Sequence, residues 1–422
     1  MMIRLLFILA TAFLFVSSST AALYDLQSWR MFGFSMVFMA LIAAAVAARP
    51  RFRRCEQDLP VVLFWLVSIM AFMDMDGSFD PLDYKILLPI LAIAAAPSLR
   101  HVMRGVDLRR LIYVLLALHT LVLTILHAGD LTSADDDTLS SRLDLTGSVV
   151  AQASLGTITF MLAAGEARAR RGLPRTADMG IATLALLQVM LSGTRTAIMT
   201  LLVMAALSII AGPDRHRQIR IVLGAALVLT LAFALHTLFI SDTYFLRLTG
   251  AYDDDYSSGR LHSLAYWLTL AGDTPLGHGI GTVRDIMQDG RPWIADGRLL
   301  EWPHNEFVRF HVEAGFPGLA LVVLLIGGMT RRALHKAART TDPRERAFVL
   351  LLTADMIAQS LLQNHFNMIY NSTMMMLVLA MLCVDPDTPR PIRSRLVVSP
   401  DHDKNQLGSS ACRAGPNLPS MT

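Results

Sequence analysis

The chain has 422 residues, 54% of them hydrophobic and only 17% charged, which excludes an ordinary soluble globular protein. Its 26 glycines and 18 prolines exclude collagenous or low-complexity sequence, leaving packed apolar helices as the use for so much apolar chain. A net charge of +3 would hint at nucleic acid in a soluble protein, but here the basic residues read as membrane orientation signals and no nucleic-acid partner is expected.

Apolar segments near the ~20 residues that cross a bilayer as a helix fall at 3–23, 29–48, 59–73, 84–98, 111–128, 148–164, 177–193, 196–212, 221–240, 305–330, 347–363 and 372–384. They predict an all-α integral membrane protein of about twelve transmembrane helices. The first segment, with Arg4, an apolar core and the small-residue stretch Ser19-Thr-Ala-Ala22, fits both an uncleaved helix, the reading adopted, and a secretory signal.

The connections alternate in charge. Basic stretches at Arg49 to Arg54, Arg100 to Arg110, Arg168 to Arg175, Arg215 to Arg220, Arg331 to Arg346 and the tail from Arg390 hold 26 of the 37 lysines and arginines. Acidic stretches run from Asp74 to Asp83, from Asp130 to Asp144 and through 241–303. The positive-inside rule makes the basic set and both termini cytoplasmic. The expected organisation is nine helices over 1–240, a large periplasmic loop over 241–303, three helices over 304–384 and a disordered cytoplasmic tail over 385–422, rich in proline. Cys55, Cys383 and Cys412 fall on the cytoplasmic side or its boundary and imply no disulfide framework.

The chemistry gathers in and around the large loop. Arg260, after Tyr252-Asp-Asp-Asp-Tyr256-Ser-Ser-Gly259, opens a helical spacing of Leu261, Leu264, Trp267, Leu268 and Ala271, expected as a short amphipathic helix on the membrane surface. Asp253, Asp254 and Asp255 read as a solvated acidic run, and no metal or cofactor is expected. The alternating glycines of Pro275-Leu-Gly-His-Gly-Ile-Gly281 read as a tight turn, since the strand and spacing of a nucleotide loop are missing. His278 in that turn reads as a surface or capping histidine.

Two further patterns stand at the outer face. Ser192-Gly-Thr-Arg195 joins two apolar segments with almost no loop, so Arg195 must snorkel outward or line a polar cavity. His304-Asn305 is followed by nine residues and then Gly315-Phe-Pro-Gly318, with Arg309 and Glu313 one helical turn apart. Spacing alone fits His304 equally well as a helix cap and as a functional group.

These residues resemble the O-antigen ligase and polymerase family of bacterial envelope glycosyltransferases. The family hallmark, a His-Asn pair, nine residues and Gly-x-x-Gly, is met by His304, Asn305, Gly315 and Gly318. Ser192 to Arg195 is similar to its Ser-x-x-Arg turn, and Ser258-Gly-Arg260 with Pro-Leu-Gly-x-Gly is similar to the start of its periplasmic loop. The likeness spans roughly 180–330, while the remaining helices match in hydropathy alone. It implies an enzyme of the bacterial inner membrane, active at the periplasmic face. Such an enzyme moves a glycan from undecaprenyl pyrophosphate to an acceptor hydroxyl, on the lipid A core for a ligase or on a lipid-linked glycan for a polymerase. It also implies Arg195 and Arg260 on the departing pyrophosphate, His304 as the base, and Asn305, Arg309, His311 and Arg247 in substrate binding. A multi-pass transporter or lipid flippase and a non-catalytic docking protein are the rival classes.

Overall fold

A computed structural model describes residues 88–126, 149–192, 260–288, 300–363 and 369–384, with isolated positions at 4, 5, 7, 8, 40, 194, 197, 200, 201, 203, 204, 206 and 207. Among the described residues the fold is entirely helical, without a strand. The elements are α1 (Leu88–Val102), α2 (Leu108–Leu126), α3 (Val149–Ala169), α4 (Leu173–Ser192), α5 (Arg260–Asp273), α6 (Thr282–Gln288), α7 (Glu306–Arg339), α8 (Pro343–Leu362) and α9 (Ile369–Cys383). Two of them, α2 and α7, are long and apolar enough to cross a membrane. Apart from residue 40, the expected segments 29–48, 59–73 and 221–240, the acidic stretches before residue 145, the basic stretches at 49–54 and 215–220, and the tail lie outside the described residues.

The bundle core runs from Ile90 and Leu99 in α1 through Ile112 and Leu116 in α2 to Leu155 and Ile158 in α3. It continues with Leu321 to Met329 in α7, Phe348 to Leu352 in α8 and Met374 to Leu382 in α9. α3 and α4 form an antiparallel hairpin, α9 lies on α1, and α7 lies on α8. Phe7, fully buried, belongs to the same core, and Arg4 donates to the carbonyls of Val102 at 2.8 Å and Arg104 at 3.0 Å. α7 extends to Arg339, beyond the expected end at 330. Ala333 and Ala337 stay buried there, and Arg346 of α8 donates to the carbonyls of Ala337 at 3.0 Å and Thr340 at 2.8 Å, saturating the helix end.

Buried polar side chains tie helix to helix where an unpaired group would be costly. Asp355 of α8 accepts from Ser154 of α3 at 2.9 Å, from Thr200 at 3.4 Å and from Gln359 at 3.4 Å. Gln188 of α4 donates to the Thr120 carbonyl at 3.1 Å and the Thr124 hydroxyl at 2.9 Å, while its own carbonyl accepts from Gln152 at 3.1 Å.

Charge sorts the two ends of the bundle. Glu166, near the end of α3, is held by Arg109 of α2, by Arg170 at 3.1 Å and by Arg344 of α8 at 3.7 Å. Arg170 also reaches Asp178 of α4 at 3.3 Å, and Asp178 accepts from the Tyr113 hydroxyl. The basic stretches at 100–110, 168–175 and 331–346 therefore share one end. At the other end Asn305, ahead of α7, donates to the Leu361 carbonyl of α8 at 3.2 Å.

Glu166→Ala would leave three guanidinium groups around an empty position. It should destabilise the bundle by about 3 kcal/mol, in the range for breaking a buried ion pair, and this would appear as a lower unfolding midpoint of the purified protein in detergent.

Candidate active site

The site is organised by a break in α7. Ala314 (φ −131°, ψ 18°) and Gly315 (φ 58°, ψ −152°) leave helical geometry, and Pro317 follows. A proline has no amide hydrogen to give the carbonyl four residues back, so Pro317 orphans the carbonyl of Glu313. The glycine turn after α5 supplies what is missing. The Gly279 amide donates to the Glu313 carbonyl at 3.0 Å, the His278 amide donates to the Val312 carbonyl at 2.9 Å, and the Phe316 amide donates to the Pro275 carbonyl at 3.0 Å. Loop and broken helix thus exchange main-chain hydrogen bonds as two strands would.

Such an approach admits no side chain at the crossing. A Cβ on Gly277 would meet the Ala314 amide nitrogen at 2.6 Å, and one on Gly315 would meet the carbonyl carbon of Pro275 at 2.6 Å. Gly315 also holds a φ/ψ combination open essentially to glycine alone. Gly318 faces the Phe310 carbonyl at a distance no Cβ tolerates. The hallmark glycines, and the turn glycine Gly277, therefore have a steric cause.

His304 and Asn305 sit two turns before the break. The N-cap is Asn305: its Oδ1 accepts from the amides of Phe307 at 3.0 Å and Val308 at 3.2 Å, while its Nδ2 makes the bond to Leu361. The capping alternative left open for His304 thus belongs to its neighbour. His304 is half-buried and stands at φ 44°, the one non-glycine with positive φ among the described residues. Strained backbone of this kind persists only where surrounding contacts hold it.

Those contacts come from α5. Ser263 Oγ accepts from the Glu301 amide at 2.9 Å, and Trp267 Nε1 donates to the Glu301 carbonyl at 2.8 Å. Both main-chain groups of one residue, three before His304, are gripped by side chains one turn apart. Trp267 is fully buried in a small core with Ala271, Val283, Met287, Leu300, Val308 and Val312. The expected amphipathic face therefore packs on the loop and on α7 rather than on lipid, because Val308 and Val312 offer it an apolar partner, and Leu268 of the predicted face is half exposed. His278 Nε2 bonds the Leu270 carbonyl at 2.8 Å near the end of α5, which agrees with its reading as a capping residue.

The remaining expected residues distribute as follows. Arg309 is buried with Glu306 and Glu313, its Nε donating to Glu313 Oε1 at 3.3 Å and its Nη1 lying 4.0 Å from Glu306 Oε2. Its guanidinium is thus turned into the protein. His311 is half-buried against Phe316, with ring centroids 4.9 Å apart, and its Nε2 has no hydrogen-bond partner among the described residues. Arg260 is the first residue of α5, and its side chain, like Arg195, Arg247 and Asp253 to Asp255, lies outside the described residues. Among the described residues no three His, Cys, Asp or Glu side chains converge as metal ligands would. The clamp by Ser263 and Trp267 was missed from sequence. The gap at Glu313 was legible, since Pro317 stands four residues after it.

This is a helix-embedded site of a membrane protein, built where a broken helix, a glycine loop and a strained histidine meet. Residues 180–323, about a third of the chain, match the family described as Wzy_C, O-antigen ligase. That segment contains Arg195, Arg260, the glycine crossing, His304-Asn305 and the break in α7, and the match supports the likeness to the O-antigen ligase and polymerase family. The match supports, at a coarse level, a membrane-embedded enzyme of polysaccharide assembly. Comparison with curated proteins finds no match.

Gly315→Ala is expected to cost about 3 kcal/mol or more, since it strains φ/ψ and drives a methyl into the Pro275–Leu276 backbone. Trp267→Phe removes part of a fully buried ring system and one hydrogen bond, at a cost of about 2 kcal/mol. Thermal unfolding of the two variants side by side checks the order.

Proposed function

We propose that the protein takes a glycan from undecaprenyl pyrophosphate and joins it to an acceptor hydroxyl at the periplasmic face of the inner membrane, as an O-antigen ligase acting on the lipid A core. The observation that carries the reading is His304. Within the family-matched segment, a histidine is held in left-handed backbone beside a helix mouth, with its neighbour Asn305 doing the capping.

The chemistry follows from the groups. Cleavage of the anomeric C–O bond leaves negative charge on the pyrophosphate, which forked guanidinium donors stabilise better than an ammonium does. Arg195 and Arg260 take that role. The acceptor oxygen attacks the anomeric carbon and gives its proton to the imidazole of His304, the undecaprenyl pyrophosphate departing as the new glycosidic bond forms. No metal ion or cofactor enters the reaction. The basic end of the bundle faces the cytoplasm, which puts the mouth of α7 and the end of α8 on the periplasmic side, with about twelve helices in all. A polymerase of the same family, using a second lipid-linked glycan as acceptor, shares every residue named. The shared donor site supports that second reading equally, and the acceptor alone divides the two.

Deleting the gene and profiling lipopolysaccharide and lipid-linked glycan on gels tests the assignment. Loss of all capped lipopolysaccharide with accumulation of polymerised lipid-linked chains is the expected result. A core bearing one repeat would mark a polymerase, and an unchanged ladder would reject both.

Arg195→Ala and Arg260→Ala should each lower transfer by about 100-fold or more, with partial recovery in the lysine variants. Turnover from purified lipid-linked glycan measures it. His304→Asn should remain folded, because asparagine tolerates left-handed backbone and the Asn305 cap is untouched. It should nevertheless be inactive, because an amide does not accept the proton. A stable, fully active His304→Asn protein would remove histidine from the base role.

A further inference from the structure

We infer that Asp355 anchors a sodium site buried in the helix bundle, with Ser154, Thr200 and Gln359 as its other ligands; the site stands apart from the transfer reaction proposed above and takes no step in it. Five carboxylates are buried among the described residues: Glu166, Asp178, Glu306, Glu313 and Asp355. Arginines meet the first four, Arg109 and Arg170 at Glu166, Arg170 at Asp178, and Arg309 at Glu306 and Glu313. Asp355, 2% exposed, instead meets two hydroxyls and one amide, all neutral. A carboxylate without a countercharge is costly in a low-dielectric interior and is matched there by a proton or by a cation.

The geometry favours the cation. Ser154 Oγ lies 3.1 Å from Asp355 Oδ1 and 2.9 Å from Oδ2, straddling both oxygens instead of selecting the one that a proton would mark. Thr200 Oγ1 stands 3.4 Å from Oδ1, long for a hydroxyl bond, whose usual range is about 2.5–3.0 Å. Oxygens around calcium, which sodium closely matches in size, lie about 2.4 Å from the ion, so that neighbours at right angles on such a shell are about 3.4 Å apart. The spacings of 2.9 to 3.4 Å around Asp355 fit such a shell and are tight for the larger potassium ion. One carboxylate balances one positive charge, where a divalent ion calls for more. Each hydroxyl can donate its hydrogen and still offer a lone pair to the ion. Gln359 completes the set: its Nε2 stands 3.4 Å from Asp355 Oδ1, and its Oε1 is buried without a hydrogen-bond partner. A half-turn of the amide brings that oxygen to the carboxylate, where a cation between two acceptors stabilises the pair. Asp355 lies twelve residues beyond Pro343, about 18 Å along α8 at 1.5 Å per residue, well inside the bundle. An ion there ties α3, α8 and the segment after α4 through one set of contacts.

The test uses purified full-length protein in detergent, held in choline chloride and titrated with sodium or potassium chloride at constant ionic strength. Sodium is expected to raise the unfolding midpoint saturably, by about 3 °C or more, with potassium raising it less than half as far. Radioactive sodium should bind saturably, as a single ion per chain. Asp355→Asn, nearly the same shape without the charge, should unfold at a midpoint that ignores sodium and should bind none. Should that variant fail to insert, Ser154→Ala removes one ligand, keeps the charge and is expected to raise the half-saturating sodium concentration about tenfold. A wild-type midpoint that responds alike to sodium, potassium and choline overturns the site and leaves Asp355 a protonated carboxyl. An undiminished sodium response in Asp355→Asn overturns it as well, as does an unchanged half-saturating concentration in Ser154→Ala.

Discussion

The structure depends on one unsatisfied carbonyl. A proline inside a buried helix removes a donor, and a main-chain carbonyl left bare in a low-dielectric interior is too costly to leave unpaired. At Glu313 the missing donor is replaced by the Gly279 amide, which requires a second segment of main chain to lie directly on the helix. That demand explains why the turn before α6 is rich in glycine, why Gly315 adopts geometry closed to other residues, and why Gly318 tolerates nothing beyond hydrogen. The break is thus the fixed point from which the loop is hung.

Once the loop is fixed, His304 is fixed with it. A left-handed histidine is held by a capped helix on one side and a gripped Glu301 on the other, the rigid support that its proposed role as base calls for. The grip uses main-chain groups of Glu301, so the identity of that side chain matters less than the presence of Ser263 and Trp267 on one face of α5. Asn305 spends its amide on two helix ends at once, the start of α7 and the end of α8, and so couples the site to the bundle.

The opposite end answers a different constraint. Three arginines converge on Glu166, and a fourth, Arg346, closes the end of α7. Arginines counted in sequence as orientation signals are here also structural, Glu166 of α3 partnering all three and Asp178 of α4 partnering Arg170 as well. Between the two ends, Asp355 and Gln188 serve as interhelical ties, each meeting hydroxyl, amide or carbonyl groups of neighbouring helices.

Local sequence determined the helical class, the alternation of basic and acidic connections, the glycine turn and the His-Asn to Gly-x-x-Gly spacing, because each depends on hydropathy, charge or steric size within a short window. Even the gap at Glu313 could be read locally, since a proline acts on the carbonyl four residues before it. Tertiary structure alone decided which residue caps α7, that Trp267 turns inward to Val308 and Val312, that Arg309 is enclosed by Glu306 and Glu313, and that α7 runs on to Arg339. The physical reason is the same in each case. A side chain's periodicity states which face of a helix it occupies, but whether that face meets lipid, water, a carboxylate or another segment of chain depends on partners distant in sequence, and those are set only when the helices pack.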